Sequence, residues 1–216
     1  MMKIGLLIIV VCLVACQQEK EDKSMLLIEA VQQQNEQQVK ALLTQAVDVD
    51  AQNEKGETAL LIATHQNNLA IAKMLIDAGA DINKQDAIQD SAYLYAGAQG
   101  KTEILAYMLQ HQDPDPNVVN RYGGNALIPA AEKGHLDNVK LLLEDGRTDI
   151  NHQNDFGYTA LIEVVALTDG SKVYQDIAKE LLKHDADTKL RDNNGKTALD
   201  YANEKGYIEL QSLLKK

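Results

Sequence analysis

The sequence predicts an all-α repeat solenoid, and three observations predict it. A short motif recurs at intervals of about 33 residues or a multiple: Gly56-Glu57-Thr58-Ala59-Leu60, Gly124-Asn125-Ala126-Leu127, Gly157-Tyr158-Thr159-Ala160-Leu161 and Gly195-Lys196-Thr197-Ala198-Leu199. A second motif, Asp77-Ala78-Gly79-Ala80-Asp81-Ile82-Asn83, returns as Asp145-Gly146-Arg147-Thr148-Asp149-Ile150-Asn151. Between the two, apolar residues keep helical spacing, as at Ile71, Met74 and Leu75. A fixed period of this size marks stacked units, each burying its apolar face only against its neighbours.

The chain begins outside that pattern. Met1-Met2-Lys3 is a short basic start, residues 4–15 are apolar or small, and Cys16 is followed by the polar run 17–23. The apolar run is too short to span a bilayer as a folded anchor but suits the core of a signal peptide. Leu13-Val14-Ala15-Cys16 resembles the bacterial lipobox. That resemblance implies a lipoprotein signal peptide over 1–15, acylation of Cys16 and a solvated tether over 16–23. With Gln17 after the cysteine, it also implies sorting to the periplasmic side of the outer membrane. Cys12 would leave with the leader, so the mature domain would hold neither disulfide nor free thiol.

Six units follow over 24–216. The first, Ser24 to about Gln52, keeps Leu27, Ala30, Val39, Leu42 and Leu43 in helical register, and its Gln-rich stretch reads as the polar outer face of a capping repeat. In the second, about 53–85, Thr58 is placed to cap the first helix and Gly79 ends the second. The third, about 86–119, carries Ser91 in place of Thr and a stiff Asp113-Pro114-Asp115-Pro116-Asn117 loop. The fourth, about 120–153, has Gly134-His135 at its helix–helix turn, where the histidine is expected to hydrogen-bond between loops. In the fifth, about 154–191, Thr159 and Ile177 stand eighteen positions apart, against thirteen for Thr58 and Ile71. Five extra residues are therefore expected between its helices, around 167–174. They read equally as a binding loop or as length tolerated on a surface. The sixth, 192–216, ends at Lys215-Lys216, cations suited to a helix C-terminus.

These motifs resemble ankyrin repeats, and the resemblance covers 24–216. It implies helix pairs joined by hairpin loops, and a protein partner bound on the concave side. Small bacterial lipoproteins of this kind resemble immunity proteins against antibacterial phospholipase effectors of type VI secretion. The resemblance thus implies a non-enzymatic binder of a lipase effector, monomeric when free. The alternative is a periplasmic scaffold or stress-protection factor with an endogenous envelope partner.

Catalytic chemistry is not written in the chain. The five histidines are scattered and show no metal-ligand spacing; there is no nucleophile elbow, phosphate loop or EF-hand pattern. No cofactor or metal is expected. A formal charge of −11 argues against nucleic acid and anionic lipid as direct partners, since phosphates are repelled, and leaves the membrane to the lipid anchor alone. The candidate partner-binding residues sit at predicted hairpin tips: Ile88, Asp90, Arg121, Tyr122, Phe156 and Tyr158. Apolar and aromatic side chains at a tip serve either as anchors for a partner or as packing on the next hairpin. A second start at Met25, which follows Ser24 at the head of the array, would yield a minor cytosolic form without leader or lipid.

Overall fold

The computed structural model describes residues 18–215; the expected leader and Cys16 lie outside the described residues. Twelve helices make six pairs. The first pair is α1 (18–32) and α2 (Glu36–Leu43), followed by α3 (Ala59–His65) with α4 (Leu69–Asp77) and α5 (Ala92–Ala98) with α6 (Thr102–His111). Then come α7 (Leu127–Glu132) with α8 (Leu136–Asp145), α9 (Ala160–Ala166) with α10 (Lys172–Lys183), and α11 (Ala198–Lys205) with α12 (Ile208–Leu214). Helices α3, α5, α7, α9 and α11 pack in one row, and α2, α4, α6, α8, α10 and α12 in a second. One aliphatic core runs continuously between them, with Leu60, Leu61, Ile71, Leu75, Leu105, Met108, Leu127, Leu142 and Leu161 fully buried. The described residues form no strand, only an isolated bridge between Gln52 and Thr58.

Each first helix after α1 starts the same way. Thr58 Oγ1 accepts from Leu61 N at 3.1 Å, Ser91 Oγ from Leu94 N at 3.2 Å, and Thr159 Oγ1 from Ile162 N at 3.2 Å. Thr197 completes a capping box with Asp200. Asn125 accepts from Ile128 N at 3.3 Å with its carbonyl oxygen and donates to Asp149 O at 2.8 Å with its amide nitrogen. The recurrent Thr/Ser/Asn is thus the start signal of every unit from the second onward.

The array begins earlier than the repeat pattern predicts. Residues 18–22 are exposed and Lys23 is part-buried; all six are helical and form the first turns of α1. Ser24 lies buried inside that helix; its Oγ donates to Lys20 O at 2.9 Å and accepts from Asp48 N at 2.8 Å. A chain started at Met25 would lack these turns and this tie to the following loop. Replacing Ser24 with Ala is expected to cost about 1 kcal/mol, a fall of roughly 2–4 °C in the thermal midpoint of the full chain.

The extra residues of the fifth unit are divided differently from the sequence expectation. Three residues separate α3 from α4 and α5 from α6, whereas five, 167–171, separate α9 from α10. The remaining length extends α10 to 12 residues, against 9 in α4. The loop is clamped to the last unit: Thr168 O accepts from Tyr207 Oη at 2.9 Å and Lys205 Nζ at 3.3 Å. Tyr207 covers Gly170 so closely that a Cβ there would meet its ring at 2.8 Å. His135 also departs from expectation. Its ring makes no hydrogen bond among the described residues; it packs on Gly100, where a Cβ would lie 2.7 Å from Nδ1.

Candidate protein-binding groove

Five hairpin tips, 53–57, 86–90, 120–124, 154–158 and 192–196, line one edge of the stack. Each opens with Asn or Asp, whose Oδ1 accepts from the backbone N–H two and four residues on. Asn53 takes Lys55 N at 2.9 Å and Glu57 N at 3.0 Å; Asn154 takes Phe156 N at 3.0 Å and Tyr158 N at 2.9 Å. Asp86, Asn120 and Asp192 repeat the arrangement. Short polar side chains thus replace the pairing that a strand would supply.

Successive tips are then tied backbone to backbone. Ala87 N donates to Lys55 O at 3.1 Å, Asp155 N to Tyr122 O at 2.9 Å, and Asn193 N to Phe156 O at 3.1 Å. The equivalent bond from Arg121 N to Ile88 O is absent. Its absence goes with a change of residue at one position of the tip. The fourth residue of a tip adopts positive φ, and Gly56, Gly123 and Gly157 fill that place in the tied tips. A Cβ on Gly56 or Gly157 would come within 2.8 Å of the next tip's backbone. In the third tip the residue is Gln89, at φ 64. It carries a Cβ at the position where the tied tips have none, and a Cβ there would crowd the next tip's backbone in those tips. On the helix side the same junction is firmly pinned. Asn138 donates to Ala96 O at 2.9 Å and Gly97 O at 3.0 Å, and accepts from Thr102 Oγ1 at 2.7 Å. Arg147 reaches Leu109 O at 2.7 Å and Gln112 O at 3.1 Å.

A junction held at the back and without its backbone bond at the front borders a concave groove of about 570 Å³. Its rim is made by tip residues Asp90, Arg121, Tyr122, Phe156 and Tyr158. Its floor comes from positions four and eight after each cap, which share a helix face: Tyr95, Pro129 and Glu163, then Gln99, Lys133 and Leu167. Five of the six expected binding residues therefore meet in one place; Ile88 is exposed on its tip but not part of the groove wall. Tyr122 and Phe156 are each 55% exposed, with no core to fill. Tyr158 is half-buried and meets Tyr201 edge-on at 6.2 Å, so packing on the next unit accounts for it. Arg121 lies 3.9 Å from Asp90, with its guanidinium 5.7 Å from the Tyr122 ring.

Glu163 is the groove residue that sequence reading missed. It is 6% exposed, within the otherwise apolar α9. Its Oε1 accepts from Asn154 Nδ2 at 2.8 Å. Burial pushes its carboxyl up to about 7, Glu132 adds to the rise, and the Asn154 bond opposes it. Aligning the units on their caps sets Glu163 with Ile62, Tyr95, Pro129 and Tyr201; a lone charge in that column was the available signal.

Gln89→Gly is expected to stabilise the chain by about 1 kcal/mol, because glycine adopts positive φ without steric cost. It should also let Arg121 N reach Ile88 O. Slowed amide exchange at Arg121 would report the new bond, and the groove should narrow with it.

A stack of helical hairpins offering a concave, mixed-polarity groove is a protein-interaction scaffold. Among the described residues no group of three or more His, Cys, Asp or Glu side chains could hold a metal ion, and no helix is long and apolar enough to cross a membrane. The chain belongs to the ankyrin-repeat family. The family described as "Ankyrin repeats (3 copies)" matches residues 3–86 and 146–216, and "Ankyrin repeats (many copies)" matches 108–164. The putative ankyrin repeat protein YahD of Escherichia coli K12 is 40% identical over 177 residues, covering 82% of this chain and 88% of its own. The solved ankyrin repeat protein EF0377 is 61% identical with a TM-score of 0.86, covering 88% of this chain and 96% of its own. A chain from the complex of the Bdellovibrio bacteriovorus predatory endopeptidase Bd0816 with immunity protein Bd3460 is 27% identical, with a TM-score of 0.72. It matches over 88% of this chain and 96% of its own. Proteins of this family are generally protein-interaction modules.

Proposed function

We propose that this protein is an immunity protein: it binds an antibacterial effector through the groove and neutralises it. The observation that carries the reading is the groove itself, where exposed Tyr122 and Phe156 stand beside the one tip junction among the described residues that lacks its backbone bond. Exposed aromatic side chains beside a concave floor are the usual anchors of protein interfaces. Likeness to a chain from an endopeptidase–immunity protein complex supports it. The effector is of the phospholipase type by the resemblance described above, and the protein meets it from a lipid anchor at Cys16 on the periplasmic side of the outer membrane. Tethering would raise the local concentration of inhibitor where the effector arrives.

Two experiments test this. Cells lacking the gene should become sensitive to their own siblings' effector and regain resistance with the wild-type gene; unchanged resistance would overturn the immunity reading and leave a scaffold for an endogenous envelope protein. Cys16→Ser should abolish palmitate incorporation and release the protein from the membrane fraction; retained labelling would remove the anchor.

A further inference from the structure

The groove holds a buried carboxylate that its own chain leaves half-satisfied. Asn154 occupies Glu163 Oε1; among the described residues no group donates to Oε2 or forms an ion pair with Glu163, and Oε2 is not sealed in the core but belongs to the groove lining. Glu132, on the adjacent α7 and on the same floor, adds a second negative charge and likewise has no ion pair. Of the two cations in the wall, Arg121 is already set against Asp90 and the Tyr122 ring, and Lys133 pairs with neither glutamate. Burying a carboxylate beside a like charge is costly unless a cation arrives. The exposed faces of Tyr122 and Phe156 stand at the rim, and aromatic faces attract cations.

Resting on the reading of the groove as protein-binding, we propose that it receives one arginine side chain of the partner. Its guanidinium is set between Glu163 and Glu132, and its stem lies along Tyr122 and Phe156. Arginine fits better than lysine. Its planar fork can give two hydrogen bonds to a carboxylate while stacking on an aromatic ring, and it is more weakly hydrated than an ammonium group. A groove of about 570 Å³ has room for that side chain and the backbone that carries it.

Phe156 is the single phenylalanine of the chain, so ring-labelled phenylalanine places one NMR reporter on the rim. The full chain in detergent is titrated with N-acetyl-arginine methylamide and, separately, with its uncharged isostere, N-acetyl-citrulline methylamide. The arginine probe should shift the Phe156 resonance in a saturable way, with the citrulline probe at least tenfold weaker. Glu163→Gln, checked for an intact thermal transition, should lose at least tenfold in arginine affinity. Equal binding of the two probes, equal binding by the variant, or no saturable shift would each overturn the arginine subsite. Failure of the wider reading shows elsewhere. If Glu163→Gln still protects cells from the effector and the double variant Tyr122→Ala/Phe156→Ala does not, the groove binds a partner without an arginine. If both variants protect fully, the groove is not the binding site and the arginine proposal falls with it.

Discussion

Replacing Glu163 with Gln is expected to make the free protein more stable at pH 8, by up to about 3.5 kcal/mol. The carboxyl's folded value of about 7 stands above the unbound 4.5; each unit of such a difference corresponds to about 1.4 kcal/mol. Below pH 4.5 the group is neutral in both states and costs nothing. Between 4.5 and about 7 the unfolded chain releases the proton while the fold retains it, so stability declines as pH rises. Above 7 the cost stays constant. The amide of Gln can still accept from Asn154 and carries no charge, so the variant should lack this decline. Urea unfolding at pH 4.5, 6 and 8 checks it: the gap between variant and wild type should open with pH. A gap independent of pH would locate the charge cost elsewhere. A residue that weakens the fold and lies in the groove is what a binding site looks like when its partner is absent.

The second large effect is at Asn138. It is fully buried and holds two carbonyls at the end of α5, Ala96 O and Gly97 O, as well as Thr102. Asn138→Ala should cost about 2–4 kcal/mol, from two buried acceptors left with fewer donors plus a small cavity. Asn138→Asp is close in shape but brings an acceptor where a donor is needed, and it should be worse than Ala at neutral pH. Denaturant midpoints of the two variants decide this. Aspartate tolerated as well as alanine would mean that the site is wetter than its burial indicates.

The fold was readable in the sequence because the repeat writes its signals locally. Thr58, Thr159 and Thr197 cap helices, the apolar positions lie at helical spacing, and tip glycines mark positive φ. The groove's tip residues were readable for the same reason, since Asn and Gly set the tips of Tyr122 and Phe156 locally and leave both exposed, whereas Tyr158 is packed on the next unit. What was not readable depends on contacts between units. The division of the extra length between loop and α10 and the packing of His135 on Gly100 are settled by neighbours distant in sequence. Glu163 was passed over because one charge in an apolar helix has no meaning until the helices on either side are in place. The change at Gln89 needed the structure as well: an absent glycine becomes informative only when the glycines in the other tips are seen touching the next backbone.

The missing bond between the third and fourth tips has a mechanical consequence. In a stack tied on both edges, bending must break something at every joint. Here the joint between the third and fourth units is pinned along one edge by Asn138 and Arg147; along the other it lacks the tip-to-tip backbone bond and is held by side chains, Gln85 Nε2 donating to Val119 O at 2.8 Å and Arg121 lying 3.9 Å from Asp90. A joint with fewer ties on one edge is expected to be the softest in the stack, with bending opening and closing around it. Because the groove lies on the less tied side, its width and the curvature of the whole solenoid are one coordinate. A partner wedged into the groove would therefore set the bend of the array, and two spin labels near its ends should report binding as a change in their separation.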